Sequence, residues 1–225
     1  MNNIIKHTGT GQRKENQDIV LIEELYPDTS LYLIVDGMGG YEKGKEAAIL
    51  IANSIFLYLS NSQEISFLKI DETIKKANLE VKHFNEKHDI KSGGTLAGII
   101  KTNEITYLFW VGDVSIFLYK KMDVIFKSKS HTLINDMKEK QITITPQNIE
   151  KYKHIVSSSI SGKREIVTKG IYALNNNAYD SFLICSDGVI DTVSPIDFMN
   201  TKLEDLNNIL SKNSKDNYSY IFDHK

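Results

Sequence analysis

The chain has 225 residues, 41% hydrophobic and 25% charged, with 27 basic and 29 acidic side chains for a net charge of −2. That length fits one large domain with a sizeable core, and the near-neutral balance supplies no long-range pull toward nucleic acid or an anionic membrane. A lone cysteine, Cys185, excludes an internal disulfide and fits a reducing compartment. The opening stretch MNNIIKHTGTGQRKENQD lacks the apolar core of a secretory signal. The longest apolar run, Ala47 to Leu59, is broken by Asn53 and Ser54 and is too short to span a bilayer. The expectation is a soluble, cytoplasmic, monomeric protein of one domain over 1–225, without a nucleic-acid or membrane partner.

In chain order, strand signals fall at Ile19–Leu25 and Leu31–Val35, runs rich in β-branched and aromatic residues bounded by polar or glycine punctuation. Two helical patterns follow, Lys45–Leu59 and Ile70–Lys87. In the second, Ile74, Ala77, Val81 and Phe84 recur every three or four residues and form one apolar stripe. Next come Leu96–Lys101, Ile105–Val111 and Ile116–Tyr119, whose short gaps cannot hold a crossover helix and predict an antiparallel meander. Val124–Phe126, Phe182–Cys185 and Tyr218–Phe222 complete the strands. A third helix is predicted over Pro195–Leu210, with Ser194 as its N-cap and proline in the first position. The polar stretch 130–166 carries weak signals and reads either as a flap beside a site or as a peripheral insertion. Helices grouped between blocks of antiparallel strands indicate an α+β layered fold.

Four acids stand at the ends of strand-like runs: Asp36 before Gly37, Asp113 after Gly112, Asp187 before Gly188, and Asp216 before Asn217. Strands are rigid mounts, and glycine beside an acid lets the backbone turn sharply or approach a ligand closely. Carboxylates delivered from remote parts of a chain suit a hard divalent cation such as Mg²⁺ or Mn²⁺. Drawn together without a cation they would repel and favour protonation.

The motifs RKENQD (Arg13–Asp18), VDGMGG (Val35–Gly40), GGT (Gly93–Thr95), VGD (Val111–Asp113), LICSDG (Leu183–Gly188) and DNYSYI (Asp216–Ile221) occur in this order. In them the chain resembles the metal-dependent serine/threonine protein phosphatases of type 2C, the PPM family, in their compact bacterial form. The resemblance spans nearly the whole length. It implies a central antiparallel β-sandwich flanked by helices on both faces, a four-layer αββα arrangement, with a metal cleft at one edge. It also implies Asp36, Asp187, Asp216 and the Gly37 carbonyl as ligands of two core Mn²⁺ or Mg²⁺ ions. Asp18 would bind metal through water, Arg13 would clamp the phosphate, and Asp113 with Asp187 would hold a third, weaker ion. The implied reaction is hydrolysis of phosphoserine and phosphothreonine by a metal-bridging hydroxide, on phosphoproteins made by serine/threonine kinases.

Several positions depart from the family pattern. Gln17 stands where relatives often carry Glu, Val114-Ser115 replaces the usual Ser-Arg after Gly112-Asp113, Met38 stands where eukaryotic relatives often place a histidine, and Ser130 replaces the Asp of Asp-His-Ser. These motivate an alternative, a pseudophosphatase of the same fold that binds a phosphoprotein or partner without turnover. His131 and His154 are expected to pack or hydrogen-bond, not to ligate. His83 and His88, five residues apart, do not share a helix face. Ser92–Thr95 lacks the lysine of a phosphate loop and reads as close backbone packing. Cys185, inside an apolar run, is no nucleophile.

Overall fold

In the computed structural model the described residues are 3–38, 43–62 and 64–224. Gly39 and Gly40 of the VDGMGG motif lie outside them. The elements in order are β1 (Asn3–Gly9), β2 (Asp18–Tyr26), β3 (Thr29–Gly37), α1 (Gly44–Ser60), α2 (Phe67–His88), β4 (Gly94–Lys101), β5 (Ile105–Val111), β6 (Ser115–Lys120) and β7 (Asp123–Lys127). Then follow α3 (Leu133–Glu139), α4 (Pro146–Tyr152), β8 (Gly170–Asn175), β9 (Ser181–Cys185), α5 (Asp187–Ile190), α6 (Pro195–Asn200), α7 (Leu203–Asn213) and β10 (Tyr218–His224).

The strands form two antiparallel five-stranded sheets, ordered β2-β3-β4-β5-β8 and β1-β10-β9-β6-β7. Strands buried on both faces read as unbroken apolar runs, which is why LYLIV, TYLFWV and SFLIC were legible as strands. Between the sheets, Ile34, Ala97, Leu108, Ile116, Phe182, Ile184 and Ile221 make a fully buried layer. The outer face of the first sheet packs against Ile51, Ile55, Ile70, Ile74 and Val81 of α1 and α2. The outer face of the second packs against Val189, Phe198, Leu206 and Leu210 of α5 to α7. The four-layer αββα expectation therefore holds.

Three local expectations are corrected. Ile105–Val111 and Ile116–Tyr119 do not pair: β5 pairs with β4 and β8, whereas β6 pairs with β7 and β9 in the other sheet. The short Gly112–Val114 link turns between sheets, with Gly112 at φ 102°, a conformation glycine tolerates and bulkier residues rarely adopt. The predicted helix Pro195–Leu210 is two helices. Ser194 caps the first through Asp197 N at 3.2 Å, and Thr201 is extended (φ −95°, ψ 137°), its hydroxyl donating to Asp197 O at 2.6 Å. Strands β1 and β8 were not anticipated, because their sequences NIIKHTG and GIYALN mix polar and apolar residues without a buried run.

Segment 130–166 contains α3 and α4; a bridge of Thr132 to Val156 closes it on itself, and a bridge of Gly94 to Ile160 ties it to the body. Gly94 and Ile160 exchange both backbone hydrogen bonds at 2.9 Å, so the Gly93-Gly94 pair serves close backbone packing as expected. Among the described residues no helix is long and apolar enough to cross a membrane.

Candidate metal centre

The register of β2 against β3 sets Asp18 directly opposite Asp36. Asp187 opens α5 immediately after β9, and Asp216 precedes β10, the strand paired with β9. Asp113 follows β5 at the sheet-to-sheet turn. These five acids share one edge of the sandwich. Asp36 is influenced by Asp18, Asp187, Asp113 and Asp216, and Asp187 by Asp113, Asp216, Asp191 and Asp18.

Three of the five acids, Asp18, Asp113 and Asp216, are held by identifiable partners. Asp18 is 5% exposed and accepts the Ser186 hydroxyl on Oδ2 at 2.9 Å. Thr95 Oγ1 donates to Asp113 Oδ1 at 3.0 Å, and Ser115 Oγ donates to the Asp113 carbonyl at 3.1 Å. Thus Ser115 supports the turn that lacks the family arginine. Arg13 makes a two-pronged pair with Asp216, Nε to Oδ1 at 2.9 Å and NH2 to Oδ2 at 2.6 Å. The sequence-predicted clamp and one predicted ligand are therefore partners of each other.

Electrostatics mark the cluster as incomplete. Burial pushes Asp18 up to about 6, partly offset by hydrogen bonds from Ser219 and Ser186. Burial first and neighbouring carboxylates second hold Asp36 and Asp187 well above the ordinary acid range. Asp113 is raised by burial and by Asp191. Oδ1 of Asp18 and Oδ1 of Asp187 are buried and accept no hydrogen bond. Buried acceptors without donors are costly, and like charges in a low-dielectric cleft repel. A hard divalent cation with oxygen ligands answers both conditions, so the donor set fits Mn²⁺ or Mg²⁺.

Asn217 supports this edge and was not singled out as a functional residue in the sequence. Its Oδ1 accepts from Gln17 N at 2.9 Å, and its Nδ2 donates to the carbonyls of Thr10 (3.0 Å) and Glu15 (2.9 Å). It thereby holds the loop that presents Arg13. Gly188 is pressed against the Asn217 carbonyl so closely that an added Cβ would lie 2.1 Å from that oxygen. Any larger residue would separate α5, and Asp187 with it, from the Asp216 loop.

Asp191 was missed as well. It lies one helical turn beyond Asp187, where i and i+4 side chains share a face, and it is grouped with Asp187 and His154. The carboxylate and imidazole ligand atoms of the three lie within 4.8 Å of one another. His154, expected to pack or hydrogen-bond, is exposed and reaches this group from segment 130–166. His131 does pack: its Nδ1 accepts from Gly112 N at 3.1 Å and its ring stacks on Trp110, bracing the Asp113 turn. His88 contacts Lys43 and Phe84, away from the acids. Gln17 lies against Gly44 at the start of α1, and Met38 covers Gly93. Cys185 is fully buried, and burial drives its thiol strongly upward, consistent with an inert side chain.

Sandwich and acid cluster together define a four-layer αββα protein with a divalent-cation cleft. The sequence profile of Protein phosphatase 2C matches residues 6–219. The chain belongs to the protein phosphatase 2C family. A Mycoplasma pneumoniae protein whose name assigns it, provisionally, to the protein phosphatases is 27% identical over 200 residues, 81% of this chain and 76% of its own. The fold matches the serine/threonine phosphatase Stp1 of Staphylococcus aureus with a TM-score of 0.86 at 20% identity, covering 100% of this chain and 95% of that one. It also matches the catalytic domain of the serine/threonine protein phosphatase PstP, crystallised with two manganese ions, with a TM-score of 0.80 at 20% identity over 99% and 97% of the two chains.

Proposed function

We propose that this chain is a metal-dependent protein phosphatase that hydrolyses phosphoserine and phosphothreonine, working as one catalytic unit over 1–225 with 130–166 as its flap. The observation that carries this reading is the convergence of Asp18, Asp36, Asp113, Asp187 and Asp216 on one edge, with Arg13 beside them. Mn²⁺ or Mg²⁺ bound there supplies an acidified water and offsets phosphoryl charge. Asp36, Asp187, Asp216 and the Gly37 carbonyl would hold two core ions. Asp113 and Asp187, with Asp191 and His154 nearby, offer a place for a third.

Arg13 exchanges its Asp216 carboxylate for two phosphoryl oxygens, which present a similar pair of acceptors to the guanidinium fork. The same exchange would leave Asp216 Oδ2 free of Arg13 and Oδ1 accepting only from Asn217 N at 2.8 Å, so that the carboxylate could serve a cation. Asp18, anchored by the Ser186 hydroxyl, keeps Oδ1 buried and unpartnered, an acceptor that would orient a water held by the cation. Met38 has no proton to give a departing alkoxide. A binding-only role would follow from lost acids or a lost clamp, and neither is lost.

Phosphoproteins are the substrate class, with targets of serine/threonine kinases as the finer reading. A monomeric, cytoplasmic protein without nucleic-acid or membrane partners accords with the near-neutral charge and the single reduced Cys185. Phosphate release from a phosphothreonine peptide in Mn²⁺ is the test. EDTA abolishes it, and Asp187→Asn lowers it more than about 100-fold, beyond the loss typical for residues that merely support a ligand. Release that persists in EDTA, or no release in Mn²⁺ across several peptides and pH values, overturns the reading.

A further inference from the structure

Away from the acid cluster, a groove of about 400 Å³ runs between α2 and the stretch following Ile160. Its lining includes Lys75, Lys82, Lys163 and Arg164 against one acid, Glu165, with Leu79 and Ile166 as apolar floor. Such a volume falls in the range of sites that hold small ligands or short peptide segments. Asn78 fixes its shape: Oδ1 accepts from Ser161 N (3.2 Å) and Gly162 N (2.9 Å), and Nδ2 donates to Arg164 O at 3.0 Å. Gly162, at φ 69°, lies so close to Lys82 that an added Cβ would sit 2.4 Å from its Cα. The groove is therefore built by specific contacts.

Its position matters because the backbone connects it directly to the cleft. Gly37, next to Asp36, pairs with Gly94, and Gly94 bridges to Ile160, two residues before Gly162. Two strand spacings and two extended residues place the near end of the groove roughly 15 Å from the Asp36 backbone. An extended peptide covers that distance in about five residues.

We infer that this groove is a docking site for an acidic segment of the phosphoprotein substrate, lying about five residues from the phosphorylated side chain. The inference rests on the reading of the cleft as a phosphoprotein phosphatase. Lys75 is held by Asp71 at 2.9 Å, and Lys82 lies 3.8 Å from Glu86. Lys82, Lys163 and Arg164 still outnumber Glu165 along the lining and suit carboxylates, and Leu79, 48% exposed, offers an apolar seat for a side chain between them. The lining has no aromatic residue on which nucleic-acid bases would stack, which favours a peptide over a single-stranded nucleic acid.

The experiment compares two phosphothreonine peptides that differ only in a Leu-flanked run of glutamates about five residues from the phosphothreonine, placed on either side in separate versions. The acidic peptide is expected to show a kcat/KM about tenfold higher, carried by KM and weakened by salt. In Lys82→Gln/Lys163→Gln the preference falls to near unity, while hydrolysis of para-nitrophenyl phosphate is unchanged. Equal use of both peptides by the unaltered protein, or a preference that survives in the variant, overturns the proposal. Binding of a fluorescein-labelled, unphosphorylated version of the acidic segment reads the groove without catalysis. Loss of that binding in the variant supports the groove even if no phosphatase activity is found. Equal binding to protein and variant, or tighter binding of oligouridylate that is lost in the variant, counts against it.

Discussion

The sandwich buries carboxylates at both ends, and it treats them in opposite ways. At one end Asp18, Asp36, Asp113 and Asp187 crowd together without a lysine, two of their oxygens unpartnered. At the other, Asp223 of β10 is fully buried and pairs with Lys101 of β4 at 3.2 Å, joining the two sheets. On β3 the register separates the two ends by six residues, Asp36 opposite Thr95 and Ser30 opposite Lys101, roughly 20 Å of strand. The paired end sets a lysine against its carboxylate, although Asp223 Oδ1 is as unpartnered as the oxygens of Asp18 and Asp187; among the described residues the crowded end sets no lysine against its four acids. What separates the two ends is whether a lysine faces the carboxylate, as Lys101 faces Asp223.

Lys101→Met is expected to have the largest effect on stability, because it leaves Asp223 buried and unpaired. The loss should be about 3 kcal/mol in urea unfolding, with metal-dependent turnover per folded molecule kept. Combining it with Asp223→Leu should recover most of the loss, and a double variant no better than the single one would break the contrast between the ends.

The crowded end predicts a pH dependence in metal-free protein. Asp18 has a folded pKa of about 6 against an ordinary 3.8, so between those values the folded chain holds more protons than the unfolded one. Stability is then highest in acid and falls as pH rises through 6, by about 3 kcal/mol for this group. The raised Asp36, Asp113 and Asp187 act in the same direction. Saturating Mn²⁺ should reverse the slope, because its ligands must be deprotonated. Urea midpoints across this pH range in EDTA and in Mn²⁺ check both signs, and parallel slopes would contradict the assignment.

Arg13→Ala sharpens the comparison most finely, since it removes the charge that pairs with Asp216 and that, in the proposed function, passes to the phosphate. KM for a phosphopeptide should rise about tenfold, a change on the scale of one charge-assisted hydrogen-bonded pair. Calorimetry should show Mn²⁺ affinity kept or improved, because Asp216 has lost its competitor. A variant that loses Mn²⁺ binding instead would make Arg13 a support of the metal site.

Most strands were legible because double burial writes itself as apolar runs, and the acids at their ends were legible because they break those runs. The Gly112–Val114 link was misread because a three-residue gap looks the same whether it closes a hairpin or turns into a second sheet. Asp191 carried a signal that could have been used: Ser186 before DGVID begins a helix, which sets Asp187 and Asp191 one turn apart. His154 carried none, since only the path of segment 130–166 brings it to those acids. The pairing of Arg13 with Asp216 was equally invisible, because two residues drawn to the same ligand site leave no mark of whether they also bind each other.

The pairing of β1 with β10, from Asn3 opposite His224 to Gly9 opposite Tyr218, has a consequence for how the protein is made. Asp18 and Asp36 leave the ribosome before Asp187 and Asp216. Contacts so distant in sequence form late and slowly. Until β10 is added, β1 lacks its neighbour and the loop bearing Arg13 lacks Asn217. The acid cluster is therefore complete only once β10 has paired with β1 and Asn217 has fixed the Arg13 loop.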